Sequence, residues 1–201
     1  MEWILFPLVG YLVGSIPFSY LLPKFKGVDV RKVGSGNIGG TNALRAAGPL
    51  IGWICMVLDG LKGFIPTFIV LHATGNMKLA AAVGIASVIG HDFPIYMKFK
   101  GGKGVASTVG VIFAVFWPAG FFFLGVWFLI VILTKIVSLA SLIALFASGV
   151  FALLKGQDVA LLILILATLS FLRHSGNVER LIKGQERKTD VLGFLKRRKS
   201  G

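Results

Sequence analysis

The sequence predicts an all-α integral membrane protein: a bundle of seven transmembrane helices with its N-terminus outside and its C-terminus inside. Three observations predict it. Hydrophobic residues make up 56% of the chain and charged residues only 14%, whereas a soluble domain carries about a quarter charged residues. The apolar residues come in long uncharged runs, not in the alternating segments of about 10 residues that a membrane β-barrel needs. The Lys and Arg residues gather in loops that fall on one side of the predicted spans.

Each span follows from the length that ~30 Å of hydrocarbon requires, roughly 20 residues of helix. The first is Trp3 to Leu22. The second runs from Pro49 to Leu71 and the third from Leu79 to Tyr96. Gly104 to Trp117 is a short fourth span, and Pro118 to Thr134 follows it at once. Only Pro118 and Gly120 punctuate the boundary between these two. Ile136 to Leu154 is the sixth span and Val159 to Leu172 the seventh. With the N-terminus outside, every cation of the 21 except Lys62, Lys78 and Lys155 lies in an inner loop or the tail. The reverse orientation would put those same residues outside, against the positive-inside rule. No internal repeat or low-complexity linker divides the chain, so residues 1–201 read as a single membrane-embedded domain. Residues 187–201 read as a basic cytoplasmic tail without fixed structure. No basic n-region precedes the first apolar run, so no cleavable signal is expected.

The formal net charge is +13. A balance that basic fits nucleic acid, anionic lipid or an anionic substrate. The hydrophobicity argues against nucleic acid and leaves the other two. One cysteine, Cys55, excludes an internal disulfide and any multi-cysteine metal site. No His and Glu residues stand at metal-ligand spacing, so no metal and no cofactor is expected. No nucleophile elbow is present either.

Three separated loops carry polar chemistry. The first is Gly34-Ser35-Gly36-Asn37-Ile38-Gly39-Gly40-Thr41-Asn42, closed by Arg45. Glycine lets backbone N–H groups approach a ligand with no Cβ in the way. Ser35 and Asn37 add neutral donors, and Arg45 adds a fork suited to phosphate. A merely flexible polar loop would show the same glycine content. The second loop is His91-Asp92-Phe93-Pro94 followed by Gly101-Gly102-Lys103-Gly104-Val105-Ala106-Ser107. Lysine between glycines at a helix entrance is an anion site by construction. It is not a Walker A loop, because Gly104 stands where Ser or Thr would follow the lysine. A lysine snorkelling to lipid headgroups beside a glycine hinge is the other reading. The third is Arg173-His174-Ser175-Gly176-Asn177, where a helix would put His174 and Asn177 on one face at i and i+3. A lone interfacial histidine is more often structural than catalytic.

Two further sets lie inside spans. Asp59 and Lys62, at i and i+3, are expected to pair structurally, because ionised groups at membrane depth are costly. Ser138 and Ser141 share a helical side near the inner face, where serine also serves close packing. From residues alone, the chain is a membrane protein with an anion-binding face built for phosphorylated, partly lipidic substrates.

The three loops together resemble the bacterial acyl-phosphate-dependent glycerol-3-phosphate acyltransferases, the PlsY family. The resemblance rests on Gly14-Ser15-Ile16-Pro17 with Gly34-Ser35-Gly36-Asn37 and Thr41-Asn42. It continues through His91 to Pro94 with Gly101-Gly102-Lys103-Gly104-Val105-Ala106. It ends with Arg173-His174, Asn177, Arg180-Leu181, Gly184 and Glu186. Gly40 replaces a usual alanine and Ser107 a common threonine. The resemblance implies transfer of an acyl group from acyl phosphate to the 1-hydroxyl of glycerol 3-phosphate, giving lysophosphatidate and phosphate. That is the first step of phospholipid synthesis, on the cytoplasmic face of the inner membrane. It also implies a separate soluble enzyme that makes the acyl phosphate. Lys103 with Gly101, Gly102 and Gly104 would hold one phosphate. Arg45, Ser35 and Asn37 would hold the other, with Ser141 and Asn177 as further donors. His174 would orient the hydroxyl or act as a weak base. A transporter of phosphorylated metabolites or lipids is the alternative, although such proteins often show paired broken spans from internal repeats.

Overall fold

The computed structural model describes residues 1–191. Most of the basic tail expected over residues 187–201 therefore lies outside the described residues. Those described are all-helical. By length and apolarity, five stretches are able to cross a membrane, and a sixth if one bent pair counts as a span.

The first apolar stretch is broken. Helix α1 spans Glu2–Gly14 and α2 spans Phe18–Phe25. Pro17 lacks an N–H and biases Ile16 away from helical geometry, which ends α1. The freed Ile16 carbonyl does not go unpaired: the Lys62 ammonium donates to it at 2.9 Å. A break at membrane depth is tolerated when another side chain satisfies the exposed backbone in this way. A short helix α3, Gly40–Ala47, leads into α4, Pro49–Thr74, which has proline in its first turn, where its missing N–H costs nothing. Helix α5, Met77–Asp92, starts on Asn76, whose side chain accepts from Leu79 N–H at 3.1 Å.

Residues expected to form two spans, Gly104–Trp117 and Pro118–Thr134, instead fall within one 30-residue helical run, α6, Val105–Thr134. Straight, it would be ~45 Å long. It is not straight, because Phe116 leaves helical geometry at φ −157° and ψ 82°, two residues before Pro118. The two ends of α6 meet the same short segment. Lys103 bonds Asn177, and Asn177 bonds Glu186. At the other end, Thr189 N–H donates to the Lys135 carbonyl at 2.7 Å. Phe113 and Phe121 pack edge to face at 5.2 Å across the bend. The run therefore folds back at Phe116 into two arms.

Helices α7, Val137–Leu154, and α8, Ala160–Arg173, form an antiparallel pair, and α9, Ser175–Ile182, turns away from α8 by 70°. Small residues set the crossings, as expected where apolar lipid offers no hydrophobic drive. Gly14 of α1 lies on the Ser87 backbone of α5, and the two helices run parallel. Gly110 of α6 lies on the Gly60 backbone of α4, with no space for a Cβ. The largest buried cluster includes Ile112, Phe123, Trp127, Leu145 and Ile163. Exposed Ile4, Ile69, Phe121, Leu133, Leu154 and Leu161 face outward, as a bilayer allows and water does not.

The pair expected of Asp59 and Lys62 forms at 3.0 Å, almost fully buried. Ser19 donates to the same carboxylate at 2.5 Å, and His91 Nδ1 stands 3.7 Å from it. One buried cluster thus ties α2, α4 and α5 beneath the site.

Candidate active site

Helices α3, α4, α6 and α7, with the turn into α9 and the segment after it, surround a cavity of about 550 Å³. Its lining includes Ser35, Asn37, Arg45, Lys103, Ser141, His174 and Asn177. Six residues singled out from three distant loops, with Ser141 of α7, therefore share one cavity. One part of the wall is polar and cationic, with Arg45, Lys103, Arg180 and Arg187. The other is apolar, with Leu61, Phe64, Val109, Phe113, Phe123 and Trp127.

The glycine-rich first loop is held in place by Asn42, which is 2% exposed. Its amide donates to the carbonyls of Val30, Val33 and Asn37 at 2.8, 3.0 and 3.1 Å, and its oxygen accepts from Ser35 N–H at 2.9 Å. Gly34, at φ +64°, turns the chain where a Cβ would strike that side chain. Asn42 was not among the site candidates. Its place in the Thr41-Asn42 motif was the only signal. Arg45 projects from α3, and its Nε donates to Thr189 Oγ1 at 3.0 Å. Burial, aided by nearby Arg187 and Arg180, lowers its pKa.

Lys103 donates to Asn177 Oδ1. Burial pushes its pKa down to about 8, with Glu186 opposing and Arg180, Arg173 and Arg45 assisting. Asn177 in turn donates to Glu186 Oε1 at 2.8 Å, and Arg180 Nε donates to Glu186 Oε2 at 2.8 Å. Burial disfavours a charged Glu186. The bonds from Asn177 and Arg180 outweigh that and hold its carboxyl below the ordinary range. Glu186 is thus the counter-ion of the site, a role that its place in the sequence does not signal.

His174 sits at the turn between α8 and α9, 4% exposed. Its Nδ1 lies 2.7 Å from the Ser170 carbonyl. A carbonyl only accepts, so Nδ1 bears the proton and Nε2 keeps its lone pair. Burial pushes the imidazole pKa down to about 4. Ser141 accepts from Trp127 Nε1 at 3.1 Å and donates to the Val137 carbonyl at 2.8 Å.

Gly101, Gly102 and Gly104 do not line the cavity. The Gly102 N–H is already engaged, donating to the His91 carbonyl at 3.0 Å. Gly102 also lies against the His91 ring, where no Cβ fits. Gly104 takes φ +73° and starts α6. The glycines shape the loop that delivers Lys103. Among the described residues, no group of three or more His, Cys, Asp or Glu converges as a metal site would require.

Residues 4–184 match the family model described as Glycerol-3-phosphate acyltransferase. A protein of that class from Thermotoga maritima, glycerol-3-phosphate acyltransferase 2, is 58% identical over 95% of this chain and 98% of its own length. The enzyme from Pseudothermotoga lettingae is 52% identical over 98% of this chain and its own full length. Crystal structures of PlsY (YgiH), an integral membrane glycerol 3-phosphate acyltransferase, share the fold. The glycerol 3-phosphate form matches with a TM-score of 0.91 at 39% identity, over 97% of this chain and 99% of that one. The lysophosphatidic acid form matches with a TM-score of 0.89 at 38% identity, over the same shares. By sequence along nearly its whole length and by fold, the chain belongs to the glycerol-3-phosphate acyltransferase family.

Proposed function

We propose that the chain transfers an acyl group from acyl phosphate to the 1-hydroxyl of glycerol 3-phosphate, releasing lysophosphatidate and inorganic phosphate. The observation that carries this reading is the two-sided cavity, cationic on one wall and apolar on the other. It suits a reaction that joins an anionic head to an acyl tail.

The donor is a mixed anhydride with a good leaving group, so no covalent enzyme intermediate is needed. The two substrates repel each other, and Arg45, Lys103 and Arg180 offset that repulsion. Ser35, Asn37 and Asn177 add neutral donors, and Ser141 joins them only by releasing the Val137 carbonyl that its hydroxyl holds. The glycerol hydroxyl oxygen attacks the acyl carbon, the bond from that carbon to the phosphate oxygen breaks, and phosphate leaves. The hydroxyl proton passes to His174 Nε2, or directly to a substrate phosphate oxygen.

The fold-back of α6 supports seven membrane crossings, since it supplies two where its length suggests one. The charge distribution supports an N-out, C-in arrangement in a bacterial inner membrane, with the cavity facing the cytoplasm. Residues 1–201 then act as one catalytic domain, supplied with acyl phosphate by a separate soluble enzyme.

The test is direct. Purified protein in detergent receives acyl phosphate with and without glycerol 3-phosphate. Phosphate release that depends on the acceptor supports the proposal. No release, with uptake of glycerol 3-phosphate into proteoliposomes instead, would establish transport.

A further inference from the structure

The loop that carries Lys103 is, by composition, among the least constrained in the chain. Gly101, Gly102 and Gly104 offer no side chains to anchor it. It is nonetheless anchored, and mostly by one residue. Arg173 donates from Nε to the Gly102 carbonyl at 3.2 Å and from Nη2 to the same oxygen at 3.0 Å. Nη2 also reaches the Asp92 carbonyl at 3.2 Å. The guanidinium lies 4.6 Å from the centre of the Phe93 ring. A single side chain from the end of α8 thus joins the end of α5 to the loop before α6. Ser170 on the same helix adds a bond from its hydroxyl to the Lys103 carbonyl at 3.0 Å.

We propose that Arg173 is a positioning residue for acyl transfer, fixing Lys103 relative to His174 by clamping the glycine loop to the end of α8. It lies outside the cavity and acts only through its neighbours. His174 follows it directly in the chain, so the residue that holds the loop is covalently joined to the one carrying the imidazole. A planar fork with several donors reaches two carbonyls and stacks on a ring, which an ammonium cannot do together. The inference rests on Lys103 and His174 serving the reaction proposed above.

The test compares wild type, Arg173→Ala and Arg173→Lys as folded, monodisperse protein in the phosphate-release assay, with kcat and KM determined across pH. An error of about 1 Å in the placement of a reacting partner costs on the order of a hundredfold in rate. Arg173→Ala is expected to lose kcat by about that factor. Arg173→Lys, which keeps the charge but not the fork, is expected to lose about tenfold.

A second readout separates loss of charge from loss of the fork. Lys103 faces Glu186, Arg180, Arg173, Arg45 and His174. Removing the Arg173 charge raises the pKa at which Lys103 loses its proton. The alkaline limb of kcat/KM should therefore move up in Arg173→Ala and stay in place in Arg173→Lys. A purely structural arginine would lower the yield of folded protein and leave kcat of the folded fraction unchanged, even where its lost charge moves the limb. That result would overturn the proposal. If Arg173→Ala gives no folded protein, Arg173→Lys decides: a tenfold loss supports the clamp and wild-type kcat refutes it. An inactive wild type would sink the acyltransferase reading itself, whereas an active wild type with unimpaired variants sinks only the clamp.

Discussion

His174 and Lys103 are each shifted toward the neutral form, and the consequences have opposite signs. With its pKa held at about 4, His174 is uncharged throughout the neutral range, and its Nε2 is free to accept a proton. Lowering the pH from 8 to 5 should not switch it off. Lys103, at about 8, is a cation below that pH and loses its charge above it. The expected outcome is a kcat/KM that falls tenfold per unit above an apparent pKa near 8, since this ratio reports the free enzyme. Bound phosphate favours the ammonium, so the same limb in kcat should lie higher. Lys103→Arg should remove the limb from kcat/KM, because guanidinium does not titrate in this range. A limb that persists in this variant would assign the titration elsewhere.

Residue type and spacing made Lys103, Arg45, His174 and Asn177 legible, because each carries a group that phosphate or proton transfer needs. What spacing did not convey was partnership. Nothing in the local sequence tells that Glu186 closes onto Asn177 and Arg180, or that Asn42 satisfies three carbonyls. Nor does a glycine run say whether its amides face a ligand or, as at Gly102, a neighbouring carbonyl.

At the scale of elements, the apolar runs locate the five or six stretches able to cross a membrane, because length and hydropathy suffice where the solvent is hydrocarbon. The breaks were harder. Pro17 lies inside the expected first span, and its effect shows only when Lys62 is seen bonding Ile16. The turn at Phe116 precedes Pro118 by two residues and Gly120 by four, so the punctuation marks the region of the break and not its residue. Helix crossings depend on glycines at single positions. At Gly110 an added side chain would strike the Gly60 backbone of α4. Gly110→Leu should therefore destabilise the fold by about 3 kcal/mol through overpacking and lower the thermal midpoint in detergent by several degrees. Gly125→Leu is the control, since a Cβ there meets nothing within 4 Å. Equal midpoints would mean that the α4–α6 crossing has room to relax.

For the whole molecule, topology brings three loops from residues 34–45, 91–104 and 173–186 to one end of the bundle. We propose, from the positive-inside rule, that this end faces the cytoplasm. A reporter active only in the cytoplasm should work when fused after Lys199 and fail when fused before Met1. The reverse result would place the cavity on the outer face, away from any soluble donor of acyl phosphate. The central claim is that this cavity holds a reacting phosphate through Lys103. It is tested most directly by comparing acceptor-dependent phosphate release from wild type, Lys103→Ala and Lys100→Ala at equal amounts of folded protein. Lys103 lines the cavity, while Lys100, three residues earlier with the same charge, is exposed and does not. Removing a charge-assisted contact to a reacting group costs about 3–4 kcal/mol, or roughly a hundred- to a thousandfold in rate. The account predicts that loss for Lys103→Ala and near wild-type turnover for Lys100→Ala. Equal and modest defects in both would contradict it, leaving Lys103 as a lysine that only reaches for lipid headgroups.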